Sequence, residues 1–234
     1  MAQKKLHRFA ELLTFPNVLQ YPENMKGNWT SVFKNDHKIT LELACGKGEY
    51  AVGMGRLFPE KNFLGVDQKG NRIWVGAKIC IKENLSNVAF LRTQIDRIAE
   101  YFNPGEVEGI WLTFPDPQLR KSKARKRLTH PKFLRLYQQI LVPGSYINLK
   151  TDSPVLYNFT LDVLELCGIT PTLAIDDLYK ENNSDPVLRI QTHYEKLDIA
   201  QSNRIHYIKF QVPSTPLPDI DEALKQRVSE RETN

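Results

Sequence analysis

The chain has 234 residues, of which 41% are hydrophobic and 25% charged, a balance typical of one globular domain with extensions. Its three cysteines are widely spaced, which argues against a disulfide framework, and no apolar run is long enough to cross a membrane. A formal charge of +5 and a pI of about 9.0 favour a polyanionic partner. The cysteine pattern favours the reducing cytoplasm, and the N-terminus lacks a signal-peptide core.

Apolar periodicity predicts alternating strands and helices after a basic N-terminal arm and covering segment over residues 1–37. In chain order the predicted elements are strand 38–43, helix 49–58, strand 63–67, helix 71–83, strand 88–91, helix 96–102, strand 109–113, helix 131–141, strand 146–150, helix 153–168, strand 170–174, helix 194–200 and strand 204–211.

This alternation predicts a Rossmann-like α/β domain over residues 38–211, with a mostly parallel, seven-stranded sheet and helices on both faces. Residues 212–234 contain three prolines followed by mixed charge, and we expect them to be a C-terminal extension, either an appended segment or a disordered one.

Four acidic residues stand at or just beyond the ends of predicted strands. They are Glu42, Asp67, Asp116 and Asp152. Because open parallel sheets bind ligands at the carboxyl ends of their strands, these side chains are predicted to converge on one site.

Asp116 lies in a stiff Phe-Pro-Asp-Pro loop, because each proline fixes its own φ and pushes the preceding residue out of the helical region. We expect both Phe114 and Asp116 to be extended. A dense basic run follows this loop, and its cations are Arg120, Lys121, Lys123, Arg125, Lys126 and Arg127. A rigid acid beside such a cluster indicates a reaction centre next to a polyanion-binding surface, although taken alone the run also fits a solvated charged loop.

A glycine loop with Gly46 and Gly48 follows the first predicted strand, and Asp67 ends the second. This pattern formally matches a dinucleotide fingerprint, but Asp67 could equally bind the ribose of an adenosine. Glu42 discriminates between them, because a carboxylate beside the loop would repel a pyrophosphate and suits a cation such as S-adenosylmethionine. The alternative is that Glu42 is an ordinary surface acid.

Five segments resemble the bacterial tRNA (guanine-N7-)-methyltransferase family in sequence and in order. They are LELACGKGEY, FLGVDQKGNRIWVGAK, GIWLTFPDPQLRKSKARKRLTHPKFL, NLKTDS and QTHYEK. The resemblance implies a class I methyltransferase fold, S-adenosylmethionine as cofactor, and methylation of N7 of a guanine in the tRNA variable loop.

The resemblance also implies roles for individual residues. Cofactor-binding acids match Glu42 and Asp67, an amide contact to adenine falls on Gln94, and the central aspartate matches Asp116. Positions on the tRNA side match Arg120, Asp152, and Thr192 to Glu195. The chain departs from the family pattern at Ala44, where glycine is usual, at Asp67, where glutamate is common, and at Gln118-Leu119, which replaces a pair containing tryptophan.

Asp116 is the predicted catalytic residue, because a carboxylate can offset the positive charge that methylation places on the purine. We expect tRNA phosphates to bind Arg120, Lys121, Lys123, Arg125 and Arg127, and we expect a monomer or a homodimer with neither metal nor membrane. Two other function classes stay open at this point: a dinucleotide oxidoreductase and a non-catalytic RNA-binding module.

Overall fold

The sheet of the computed structural model contains eight strands within the described residues, which are 2–181, 184–193, 195 and 204–231. The strands are β1 (Val18–Gln20), β2 (Ile39–Leu43), β3 (Asn62–Asp67), β4 (Val88–Arg92), β5 (Val107–Thr113), β6 (Leu141–Thr151), β7 (Leu173–Ile175) and β8 (His206–Gln211). All pairings are parallel except those of β8 with β6 and with β7.

Seven α-helices flank this sheet in the described part of the chain: α1 (Ala2–Leu12), α2 (Thr30–Phe33), α3 (Glu49–Leu57), α4 (Gly70–Glu83), α5 (Pro131–Gln138), α6 (Pro154–Leu166) and α7 (Asp221–Arg231). Two 3₁₀ helices cover Ile95–Glu100 and Lys121–Lys126. The start of α6 follows from its sequence, because Ser153 Oγ accepts the N–H of Leu156 at 3.3 Å and Pro154 occupies the first turn. Of the helix predicted over 194–200, only Glu195 lies within the described residues.

The predicted α/β fold is confirmed, but the predicted count of seven strands is wrong. The additional strand is β1, which belongs to the covering segment and pairs in parallel with β4. It has three half-buried residues and no run of alternating polarity, so its pairing with β4 defines it more than its own sequence does. The predicted strand over 170–174 is also shorter and later than expected, at Leu173–Ile175.

The strand order is β1-β4-β3-β2-β5-β6-β8-β7. The chain moves outward from β2 through β3 and β4 in one direction, and then through β5 and β6 in the other. The topological switch point therefore lies between β2 and β5, where ligands bind in open α/β sheets.

Alternate residues of the central strands pack into two separate hydrophobic cores. In β4, Ala89 and Leu91 belong to a core with α5 and α6, whereas Val88 and Phe90 belong to a core with α3 and α4. This period of two places helices over both faces of the sheet.

The C-terminal segment packs onto α6. Leu224 and Val228, one helical turn apart in α7, are buried in the same core as α6. Arg227 donates to Glu165 at 2.6 Å and 2.9 Å, and Arg231 donates to the buried Asp162 at 2.8 Å. Two apolar side chains and this ion-pair cluster thus connect α7 to α6.

No helix among the described residues is both long and apolar enough to span a bilayer. Within that same part of the chain, no group of three or more His, Cys, Asp or Glu side chains is arranged to hold a metal ion.

Candidate active site

A cleft of about 720 Å³ opens at the carboxyl ends of the strands, over the switch point between β2 and β5. It brings together most of the residues predicted to bind a cofactor, together with two residues predicted on the tRNA side: Glu42, Gly46, Asp67, Gln94, Asp116, Asp152 and Thr192. The strand-end acids therefore converge as expected from a parallel sheet.

The glycine loop between β2 and α3 turns through left-handed backbone conformations. Ala44, Gly46 and Gly48 have φ values of 57°, 55° and 71°. A Cβ added to Gly48 would lie 2.3 Å from the ring of Phe90, so the loop rests directly on this β4 side chain. Gly48 does not line the cleft, and its contribution is to let the chain enter α3. Ala44 adopts the same left-handed region without being a glycine.

Glu42 lies beneath the loop and is 1% exposed, so it is not the surface acid of the alternative interpretation. Its carboxyl group accepts the N–H of Ala51 at 2.8 Å and the hydroxyl of Thr113 at 2.8 Å. Burial raises the pKa of Glu42 to about 8, against the lowering effect of these two donors. Glu42 therefore changes charge near neutral pH, inside the cleft.

Asp67 fixes the opposite side of the glycine loop. One of its carboxylate oxygens accepts the N–H of Gly46 at 2.9 Å, and the other accepts the N–H of Lys69 at 2.7 Å, just before α4. Gln94 follows β4 at the start of the 3₁₀ helix Ile95–Glu100. Both residues line the cleft.

Phe114, the first residue of the Phe-Pro-Asp-Pro loop, does not have the extended conformation that was predicted for it. Phe114 has a φ of 48°, and its N–H donates to the carbonyl of Lys150 at 2.8 Å. The following proline disfavours the right-handed helical region for Phe114, and the chain uses the left-handed region instead of the extended one. Asp116 is exposed at the rim of the cleft, and its carboxylate accepts the N–H of Gln118 at 3.0 Å.

Arg127 faces inward, unlike the other cations of the basic run. It is 1% exposed and donates to the carbonyls of Pro117 at 3.0 Å and Gln118 at 3.1 Å. Its guanidinium lies 4.5 Å from the centre of the Phe159 ring. Arg127 therefore braces the loop that carries Asp116, and its burial leaves it unsuited to bind an RNA phosphate.

The other five cations of the run are exposed, and most of them lie on the 3₁₀ helix Lys121–Lys126. Two of the five also contact the C-terminal segment, since Lys121 donates to the carbonyl of Ser229 at 3.1 Å and Arg125 lies 3.6 Å from Asp221. Arg120, Lys123 and Lys126 complete this exposed surface, and Lys126 also lines the cleft. The geometry fits both a phosphate-binding surface and a solvated one.

The remaining residues predicted on the tRNA side differ in their access to the cleft. Asp152 and Thr192 line the cleft, whereas the side chain of Glu195 is 5% exposed and lies 3.0 Å from the ammonium of Lys150. Sequence reasoning missed Thr113 and Lys150, and it placed Arg127 among the phosphate-binding cations although this side chain is buried. Thr113 could have been found from its position directly before the proline loop, but inward and outward cations look alike in a sequence.

Comparisons with known proteins agree with this geometry. A protein-family model described as "Putative methyltransferase" matches residues 36–208. A tRNA (guanine-N(7)-)-methyltransferase of Bacteroides thetaiotaomicron is 42% identical over 233 residues, covering 94% of this chain and 92% of the relative. A protein of the same name from Porphyromonas gingivalis is 49% identical over 209 residues, covering 84% of this chain and 85% of the relative.

A solved structure of a 16S rRNA methyltransferase, KamB, superposes with a TM-score of 0.60 at 13% identity, covering 82% of this chain and 95% of that one. At this level of identity the superposition demonstrates a shared fold only.

Proposed function

Since the chain belongs to the tRNA (guanine-N(7)-)-methyltransferase family, we propose that it transfers a methyl group from S-adenosylmethionine to N7 of a guanine in the tRNA variable loop. One observation carries the proposal: the four strand-end acids Glu42, Asp67, Asp116 and Asp152 line one cleft beside an exposed basic helix. We propose the cytoplasm, where tRNA is modified, as the place of action, and either a monomer or a homodimer as the active form.

The residues present fit this cofactor. Glu42 supplies a carboxyl group for a cation, and Asp67 supplies one for a ribose diol. A dinucleotide fits less well, because its negatively charged pyrophosphate would be repelled by both carboxylates. Gln94 offers an amide to the adenine edge, and Gly46 gives the cleft a backbone wall without a side chain. S-adenosylmethionine supplies an electrophilic methyl group on a sulfonium centre.

Guanine N7 carries a lone pair and no proton, so its methylation needs no general base at that atom. Positive charge develops on the purine, and Asp116 at the rim of the cleft is placed to offset it and to hold the N–H groups of the base. The target base must first leave its stacked position, as in other enzymes that act on bases.

The basic surface supports the choice of a tRNA substrate. Arg120, Lys121, Lys123 and Arg125 would bind phosphates, together with the basic N-terminal arm. Asp152 and Thr192 line the cleft beside Asp116 and are suited to contact the target nucleotide.

A methylation assay on unmodified bulk tRNA, with mass mapping of the product, tests the proposal. We expect N7-methylguanosine in the variable loop. Methylation of tRNA at another position would contradict the proposed target in the variable loop. Binding of tRNA without methylation would instead support the alternative of a non-catalytic RNA-binding module.

The pKa of Glu42 predicts a pH dependence of cofactor binding. A bound cation favours the ionised carboxylate, so affinity should rise with pH below about 8 and level off above it, where the free protein is already ionised. The slope should reach up to about tenfold per pH unit, with release of one proton. Titration calorimetry between pH 6 and pH 9 measures both quantities.

Glu42→Gln is the matched control for this prediction. It keeps a carbonyl oxygen for the N–H of Ala51 but has no charge to titrate, so the rise with pH should disappear. The α-ammonium of the cofactor titrates in both proteins, and its effect cancels in the comparison. If cofactor affinity changes with pH in the same way in both proteins, the charge of Glu42 does not contribute to cofactor binding.

A further inference from the structure

Lys150, the penultimate residue of β6, is a fully buried lysine to which the proposed mechanism gives no role. Its side chain is 0% exposed. Burial lowers the pKa of Lys150, and the nearby Glu195 opposes this effect. Burying an ammonium costs several kcal/mol unless its N–H groups find partners, so the acceptors of this residue are informative.

The Lys150 ammonium has four acceptors, and three of them belong to one segment; the fourth is the hydroxyl of Tyr179 at 3.4 Å. Lys150 Nζ donates to the carbonyl of Leu188 at 3.0 Å, to the carbonyl of Ile190 at 3.2 Å and to Glu195 Oε2 at 3.0 Å. We call the described residues 188–193 and 195 the clasp. Lys150 thus binds the clasp through three hydrogen bonds from one buried ammonium group, at the carboxyl end of the sheet.

Glu195 is occupied by partners within the protein. It forms a capping box with Thr192, whose hydroxyl accepts the N–H of Glu195 at 3.1 Å and whose N–H donates to Glu195 Oε2 at 3.3 Å. The hydroxyl of Tyr179 donates to the other carboxylate oxygen. With Lys150 added, both oxygens of the carboxylate have partners and the Glu195 side chain is 5% exposed, which leaves little room for an RNA contact.

The clasp forms one wall of the cofactor cleft. Thr192 lines the cleft, and the N–H of His193 donates to the carboxylate of Glu49 at 3.1 Å. Glu49 is the first residue of α3, directly after the glycine loop. The clasp therefore spans from Lys150 on β6 to the loop that follows β2.

Lys150 also holds the loop that carries Asp116. Its carbonyl accepts the N–H of Phe114 at 2.8 Å, while its ammonium holds the clasp. One residue thus joins two walls of the cleft, one through its main chain and one through its side chain.

We propose that Lys150 is a positioning residue of the methyltransferase, which fixes the clasp against the proline loop, and that Glu195 acts through Lys150 rather than by contacting tRNA. The inference rests on S-adenosylmethionine as cofactor, but not on which guanine is methylated. It differs from the role that sequence resemblance implies for Glu195.

The test measures cofactor and tRNA binding separately in Lys150→Met, Glu195→Gln and the double variant. We expect each single change to weaken S-adenosylmethionine binding about tenfold or more by calorimetry, and to leave tRNA affinity within about twofold by filter binding. The double variant should resemble the single ones, because residues that act as one unit are not additive. In steady state, the KM for the cofactor should rise while the KM for tRNA stays constant.

Asp162→Asn is the matched control, since Asp162 is also a buried acid with ionic partners, but lies on α6 against α7. It should lower the melting temperature without changing cofactor affinity, which separates positioning from general destabilisation. If Lys150→Met does not fold, Glu195→Gln decides alone, because its amide preserves most of the capping box. Weaker tRNA binding with unchanged cofactor affinity in Glu195→Gln, or additive effects in the double variant, would overturn the proposal. Normal cofactor binding without tRNA methylation in the wild type would contradict only the proposed target.

Discussion

Replacement of Asp116 by asparagine is expected to lower the maximal rate of methyl transfer by about 10²–10³-fold, the effect of losing about 2.7–4 kcal/mol from one preorganised electrostatic group. Asparagine keeps the shape of the side chain and an oxygen for the N–H of Gln118, but it removes the charge that would offset the developing purine cation. Single-turnover methylation at saturating tRNA and cofactor measures this step without the contribution of binding.

Asp36→Asn is a suitable control, because Asp36 is an exposed aspartate just before β2, at the opposite edge of the sheet from the cleft. It removes the same charge and should transfer methyl at the wild-type rate. A wild-type rate in Asp116→Asn as well would leave Asp116 as a residue that shapes the loop. Because N7 bears no proton, the rate in the wild type should also lack a steep pH dependence near neutrality once tRNA and cofactor are saturating.

Neutralisation of Arg120, Lys123 and Lys126 by glutamine is expected to weaken tRNA binding strongly and to flatten its salt dependence. Each lost phosphate contact should reduce the slope of log affinity against log salt by roughly 0.7, or by about 2 for the three together. These three cations are exposed on the surface next to Asp116, whereas Lys121 and Arg125 also contact the C-terminal segment. Binding at several salt concentrations measures the slope.

A control variant with the same change in net charge replaces Lys34, Lys38 and Lys61, which are exposed near the starts of β2 and β3. This triple variant should keep the wild-type slope, because its side chains lie at the edge of the sheet away from the cleft. Equal slopes in both triple variants would identify the basic helix as a solvated charged face.

The sequence predicted the α/β fold and the cleft because both depend on local patterns. Alternating polarity and helical spacing define most elements, and a parallel sheet then brings strand-end acids such as Glu42 and Asp67 together. Other features depend on tertiary partners that no local pattern reveals. β1 is defined by its hydrogen bonds to the edge of β4. Arg127 points inward, where it donates hydrogen bonds to two carbonyls of the proline loop.

The T-x-x-E segment illustrates the same limit. Its spacing fits a capping box and a binding motif equally well, and only the position of Lys150 on β6 shows that the carboxylate of Glu195 points into the protein. The direction of a side chain was therefore the main property of this site that spacing left undetermined.

The insertion of β8 between β6 and β7 has a consequence for biosynthesis. The chain emerges from the ribosome N-terminus first, and among the described residues β7 pairs only with β8, so this side of the sheet cannot be completed until residues 206–211 have been made. Until then the six residues Tyr146–Thr151 of β6, which pair with β8 in the complete sheet, present an open edge to other nascent chains. A translation product that stops before β8 would therefore keep an unpaired strand edge on β6. We expect such a product to aggregate rather than to persist as a partly active enzyme.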